Sequence, residues 1–162
     1  MRIVVSDTSP LVALEQLGLL HILPALFGEV LIPQAVWDEL AVQNETPGRR
    51  MLFDLAWVRV LPVPKLHTEV SFDQRIGAGE SDAIRLAIAL DAALIIVDDL
   101  VPRRIAQGYG LDVVGTLGLL RLAKEMKILD SIAPYIYKLR DEFRFRLDDV
   151  LILRVLREAG EV

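Results

Sequence analysis

Three observations predict an α/β fold with a central, mostly parallel sheet flanked by helices. Short apolar runs rich in β-branched residues alternate along the chain with longer helix-like stretches. The clearest runs, Arg2-Ile3-Val4-Val5-Ser6 and Ala93-Leu94-Ile95-Ile96-Val97, are too short for helices and read as strands buried on both faces. Acidic residues stand just past both runs, Asp7 after the first and Asp98-Asp99 after the second, where open parallel sheets place their ligands.

The elements follow in order. After the first strand, Ser9-Pro10 opens a helix, with serine as the cap and proline at the first helical position. Its apolar pattern runs through Leu20, and Gly18 separates it from a second short helix ending near Phe27. Glu29 to Ile32 reads as strand two, Pro33 starts a helix through Leu40, and Gln43 to Gly48 is loop-like. A helix around Arg50 to Leu55 leads to Trp57-Val58-Arg59-Val60-Leu61, whose alternation marks a half-buried or edge strand closed by Pro62 and Pro64. Lys65 to Ile76 is read as surface loop, Gly77-Ala78-Gly79 as a sharp turn, and Glu80 to Ala92 as a long apolar helix before strand four. Beyond the acidic pair come a helix near Arg103 to Gln107 and a short strand at Asp112 to Val114. Helices from Thr116 to Met126, Ser131 to Leu139 and Asp148 to Ala159 complete the chain. At 162 residues, without repeats or a linker, residues 1–162 are expected to form one domain.

Composition narrows the chemistry. With 53% hydrophobic and 25% charged residues, the chain is globular rather than disordered. It has no cysteine, so disulfides and thiolate metal sites are excluded and oxygen ligands are the remaining hard-metal chemistry. No basic segment followed by a cleavable apolar stretch opens it, and no run approaches membrane-spanning length, so the expectation is a cytoplasmic protein with no membrane partner. The net charge of −5 has the wrong sign for a broad nucleic-acid-binding surface. Basic residues do gather locally, at Arg49-Arg50, at Arg103-Arg104, and at Lys138, Arg140, Arg144 and Arg146. For each cluster alone a solvated helix face is the simpler reading.

The carboxylates carry more information. At roughly 100° per residue, Glu39 falls between Ala35 and Val36 on the apolar arc of its helix, whereas Asp38 points away. An inward glutamate is costly unless it is paired, hydrogen-bonded or bound to a cation. Glu80 and Asp82 occupy the first turn of a helix that is apolar nearly all round, where the dipole alone would account for either acid. Asp98 and Asp99 repel each other at the end of an apolar strand, and a cation would relieve that repulsion. One of them could instead cap the next helix. Ser6, Thr8 and Ser9 add hydroxyls that could bond a metal-bound water, a carboxylate oxygen or a helix end.

Taken together, Val5-Ser6-Asp7-Thr8-Ser9-Pro10-Leu11, the stretch Ile32 to Leu40 with Glu39, Gly79-Glu80-Ser81-Asp82-Ala83 and Val97-Asp98-Asp99 resemble the PIN-domain family. More narrowly, they are similar to a prokaryotic subgroup catalogued without assigned function. The resemblance continues through Arg103-Arg104-Ile105-Ala106 and Gly115 to Leu120, and covers nearly the whole chain. It implies a PIN-like three-layer fold and a metal-dependent endoribonuclease like the toxins of toxin–antitoxin pairs. Asp7, Glu39, Asp82 and Asp99 match the family's four acidic positions, and Glu80 and Asp98 match flanking acids of the subgroup. Many members carry threonine or serine two positions before the last aspartate, where this sequence has Val97.

The expected cofactor is Mg2+ or Mn2+, held directly by one or two carboxylates with waters completing the shell. Asp7 and Asp99 are the direct-ligand choices, with Glu39 and Asp82 on outer waters or a second ion roughly 3.5–4 Å from the first. Neither His21, in an apolar helical stretch, nor His67, in a loop, is placed as a general base. The resemblance implies RNA as substrate, a cognate antitoxin protein and a homodimer. The apolar character of Leu117, Leu119, Leu120, Ile152, Leu153 and Leu156 is consistent with dimerisation. Two other readings stay open: a catalytically weak PIN-like module that binds RNA or a partner, favoured by Val97, and a receiver-like phosphoacceptor domain. The second lacks the lysine it needs after Val113-Val114, where Gly115-Thr116 stands.

Overall fold

The chain is described by a computed structural model over residues 2–44, 55–66, 72 and 75–162. Val4–Ser6 (β1), Val30–Pro33 (β2), Val58–Leu61 (β3), Leu94–Ile96 (β4) and Val113–Val114 (β5) form one wholly parallel sheet, ordered β3-β2-β1-β4-β5. Helices Thr8–Gln16 (α1), Ile22–Phe27 (α2), Gln34–Asn44 (α3), Ala78–Ala89 (α4), Leu100–Gly108 (α5), Thr116–Glu125 (α6), Ala133–Asp141 (α7) and Asp149–Glu158 (α8) provide the crossovers and outer layers. The expected α/β fold is present, and the sheet is parallel throughout rather than mostly so.

The period-2 pleat divides the strands between two cores. Val4, Val30, Ile32 and Ile96 pack with α1, α2, α6, α7 and α8, and Val5, Leu31, Ile95 and Val97 pack with α4 and α5. Both faces are thus covered, which is why these strands read as continuous apolar runs. Leu119, Leu120, Ile152 and Leu156 are consumed by the first core, and of the six residues consistent with dimerisation only Leu153 is exposed. Most of the apolar argument for a dimer is therefore satisfied within one chain.

Several boundaries differ from the sequence reading. α1 begins at Thr8 with Asp7 in the cap position, and Ser9 lies exposed within the first turn. The β1 ladder explains this, because Asp7 N–H still bonds Ile96 O at 3.0 Å and the chain turns helical at the next residue. Gly79 belongs to the first turn of α4 and not to a preceding bend. The expected helix around Arg50 to Leu55 and the loop from Lys65 to Ile76 lie largely outside the described residues.

Helix ends are closed by a recurring left-handed residue. Gly18, Gly110 and Gly160 serve α1, α5 and α8, but Asp91 and Lys127 hold φ of 50° and 60° after α4 and α6. Ile128 N–H bonds Ala123 O at 2.8 Å around Lys127, the Schellman closure that glycine favours. Lys127→Gly should therefore raise stability by about 0.5–1 kcal/mol in urea unfolding, since a side chain at this φ is strained.

Candidate active site

The strand order reverses at β1, which has β2 on one side and β4 on the other. Open parallel sheets form their crevice at such a switch point, outside the carboxyl ends of the strands, and Asp7 and Asp99 follow the carboxyl ends of β1 and β4. Both occupy N-cap positions, Asp7 of α1 and Asp99 of α5, with the extended backbone of a cap. Neither side chain makes the usual capping bond to its helix, and Asp7 accepts only from the adjacent Thr8 amide. Capping therefore does not account for either aspartate.

Their carboxylates face other acids instead. Asp7 is 3% exposed, and its carboxyl is raised to about 7, first by burial and then by Glu80, Glu39 and Asp99, against the lowering bond from the Thr8 amide. The Glu80 carboxyl is also raised, by burial first and then by a hydrogen bond shared with Asp99 that needs a proton between the two. Glu80 remains tied to its helix, accepting from Gly77 N–H at 3.2 Å.

Glu39 enters from α3, as its helical phase requires. Val36 and Leu40 beside it are buried, and Asp38 points outward to bond Gln34 at 2.9 Å. Its carboxylate accepts from Thr8 Oγ1 and from Gly79 N–H, the latter at 3.0 Å. Packing of α3 on α4 sets this contact, and it leaves no room at position 79. A Cβ there would lie 2.5 Å from one Glu39 carboxylate oxygen and 2.6 Å from the other. Gly79 is thus part of the site, and the signal for it was a glycine beside an acidic first turn.

A family model described as a PIN domain matches residues 3–161. The chain belongs to the PIN-domain family. No curated protein and no solved structure matches it. PIN domains are typically nucleases and generally use divalent metals, which suits an α/β sheet with acids at its switch point.

Within this PIN domain, the acids divide differently from the sequence ranking. Asp7, Glu39, Glu80 and Asp99 act on one another electrostatically. The Asp82 carboxylate lies 3.3 Å from Arg85, one turn along α4, and Arg85 also stacks 4.8 Å from the Phe72 ring centre. Asp98 accepts from the Thr116 amide at 2.7 Å and from its hydroxyl at 2.8 Å, which ties the end of β4 to the start of α6. Burial raises its carboxyl while those bonds lower it. Gly115 permits the arrangement, because a Cβ there would fall 2.6 Å from Arg103 Nη1 and 2.8 Å from Asp98 Oδ1.

The remaining candidates have simpler places. Ser6 Oγ donates to Asp7 O at 2.9 Å. Val97 is fully buried against α4 and α5, so the side chain at this position serves the core. His21 is exposed at the start of α2, while His67, Arg49 and Arg50 lie outside the described residues. Lys138 sits over Phe143, and Arg140 pairs with Asp141 and Asp149. No helix among the described residues is long and apolar enough to cross a membrane.

The donor set suits a hard cation, since the four neighbouring carboxylates offer only oxygen. Among the described residues no three acids or histidines converge on one point. Mg2+ or Mn2+ needs no such cage, because one or two direct carboxylates and several waters suffice.

Proposed function

We propose that this PIN domain is a Mg2+- or Mn2+-dependent endoribonuclease of toxin type, hydrolysing RNA phosphodiesters at the acidic crevice. The observation that carries this reading is the pair of cap-position aspartates, Asp7 and Asp99, which make no capping bond, with Asp7 within electrostatic reach of Glu80, Glu39 and Asp99 and Glu80 hydrogen-bonded to Asp99. Asp7 and Asp99 would hold the cation, with Glu39 and Glu80 as the supporting acids beside them. The bound metal supplies a polarised phosphodiester, an activated water and charge for the leaving oxygen. Thr8 and Gly79 keep Glu39 aimed into the crevice, while Asp98 and Thr116 fix the backbone that presents Asp99. Glu80 replaces Asp82 among the four principal acids. Asp82 and Asp98 are positioning residues, through Arg85 and Thr116 respectively. A cytoplasmic location and restraint by a cognate antitoxin complete the proposal, with a homodimer as its assembly.

Cleavage of generic RNA in Mn2+ is the deciding measurement. Asp7→Asn and Asp99→Asn should each lower the rate by at least about 100-fold, the scale of removing a residue that organises the reacting centre. Equal rates in both variants and wild type would eliminate the nuclease reading. It would leave the non-catalytic binding module.

Gly79→Ala tests the support of Glu39. Alanine improves helix propensity by about 1 kcal/mol but drives the Glu39 carboxylate from its two donors. Near-wild-type unfolding with cleavage lowered about tenfold is expected; unchanged cleavage would remove Glu39 from the mechanism.

A further inference from the structure

A groove of about 800 Å³ runs from Asp98 and Asp99, past the starts of α5 and α6, to the segment Phe143 to Leu147 that joins α7 to α8. That segment alternates. Phe143, Phe145 and Leu147 pack half-buried on the first core, and Arg144 and Arg146 between them are exposed. Its backbone is tied down, with Phe145 N–H on Leu139 O at 2.9 Å and Leu147 N–H on Phe145 O at 2.9 Å. The other arginines of the groove are engaged. Arg103 donates to Val97 O at 3.3 Å, and Arg121 pairs with Glu158 at 2.7 Å. Arg144 and Arg146 have neither ion pair nor hydrogen bond among the described residues.

We propose that this groove is the track for a single-stranded RNA, whose phosphates bind Arg144 and Arg146 and whose bases lie on the apolar lining of Leu117, Phe143 and Phe145. The inference deepens the nuclease reading, because the same groove ends at Asp99. Two cations beside an acidic pole orient a polyanion: the arginines attract its flanking phosphates, and the crevice accepts a phosphate only with a cation. Apolar lining next to the arginines selects unpaired bases, since a duplex presents phosphates while hiding base faces. With a net charge of −5, the chain offers no broad basic surface to mask the contribution of these two residues.

The test is fluorescence anisotropy with a labelled, mixed-sequence single strand of about twelve nucleotides, its duplex, and an acidic peptide. All proteins carry Asp99→Asn to prevent turnover. Arg144→Asn with Arg146→Gln should weaken single-strand binding about tenfold and reduce the salt slope by about 1.4. Asparagine suits the left-handed φ of 56° at position 144. Phe145→Leu keeps the packing and should weaken the single strand alone, while Arg154→Gln on α8 should change nothing. The proposal is overturned if the double variant binds the single strand with wild-type affinity and slope, if duplex binds more tightly, or if only the acidic peptide loses affinity. Failure here with Asp99-dependent cleavage intact would discard the track and keep the nuclease; normal loss of binding without cleavage in the Asp99-bearing protein would do the reverse.

Discussion

Asp7→Asn is expected to stabilise the metal-free protein above pH 7 while abolishing cleavage. Asp7 titrates near 3.8 when unfolded and at about 7 in the fold, chiefly because burial penalises its charge and Glu80, Glu39 and Asp99 add to that penalty. The folded state therefore binds more protons than the unfolded state between these values. Wild-type stability should fall as pH rises through that window, and the full loss, on the order of 4 kcal/mol, should persist above pH 7. An asparagine carries no charge and escapes the loss. Urea unfolding of both proteins in chelator at pH 5 and pH 8 measures it, with the variant gaining about 3 kcal/mol relative to wild type on going to the higher pH. Added Mn2+ should then stabilise wild type and leave the variant unmoved, because only the aspartate gains a counter-ion. Parallel pH dependence in the two proteins would show that Asp7 is not the strained member of the cluster.

Glu161 should behave in the opposite sense. Its carboxylate, 11% exposed at the far end of the chain, closes on the first turn of α7. It accepts from Ser131 Oγ at 2.7 Å, from Ile132 N–H at 2.9 Å, from Ala133 N–H at 3.1 Å and from Lys124 Nζ at 3.0 Å. Burial alone would raise its carboxyl, but these donors outweigh it and hold the group at about 2. A depressed carboxyl contributes stability above its unfolded value of 4.5, and the contribution is lost as pH falls toward 2. Glu161→Ala should cost about 2 kcal/mol at pH 7, mainly by stranding helix N-terminal amides, and the difference from wild type should shrink below pH 4.5 and close as pH reaches about 2. A cost that persisted unchanged at pH 2.5 would assign the loss to packing rather than charge.

The two cases show which features a linear pattern can carry. Strand positions were legible because both sheet faces are covered, so Val4-Val5 and Ile95-Ile96-Val97 had to be apolar without interruption. Glu39 was legible because α3 is regular, and its phase relative to Val36 and Leu40 is a property of the helix itself. Asp7 and Asp99 were legible as strand-end residues. The different surroundings of Glu80 and Asp82 were not, since both sit in the first turn of α4 and their partners depend on where Arg85 and the ends of β1 and β4 lie. Likewise, Asp98 and Asp99 are equivalent as neighbours in sequence. Only the approach of Thr116 from α6 satisfies Asp98 and leaves Asp99 in the crevice.

What the sequence determined by itself was therefore an α/β domain with acids at strand ends, because periodicity and strand-end position are local properties, and the order of its acidic motifs carried the resemblance to the PIN family. The tertiary structure decided the company each acid keeps: Glu80 beside Asp7 and Asp99, Asp82 on Arg85, Asp98 on Thr116, and Glu39 over Gly79. It also decided that Phe143 to Leu147 lines the groove ending at Asp99, which no local pattern near the acids announces. The physical reason is common to both. Hydrogen bonds and charge interactions act over a few ångströms between elements far apart in the chain, so their partners are chosen by packing.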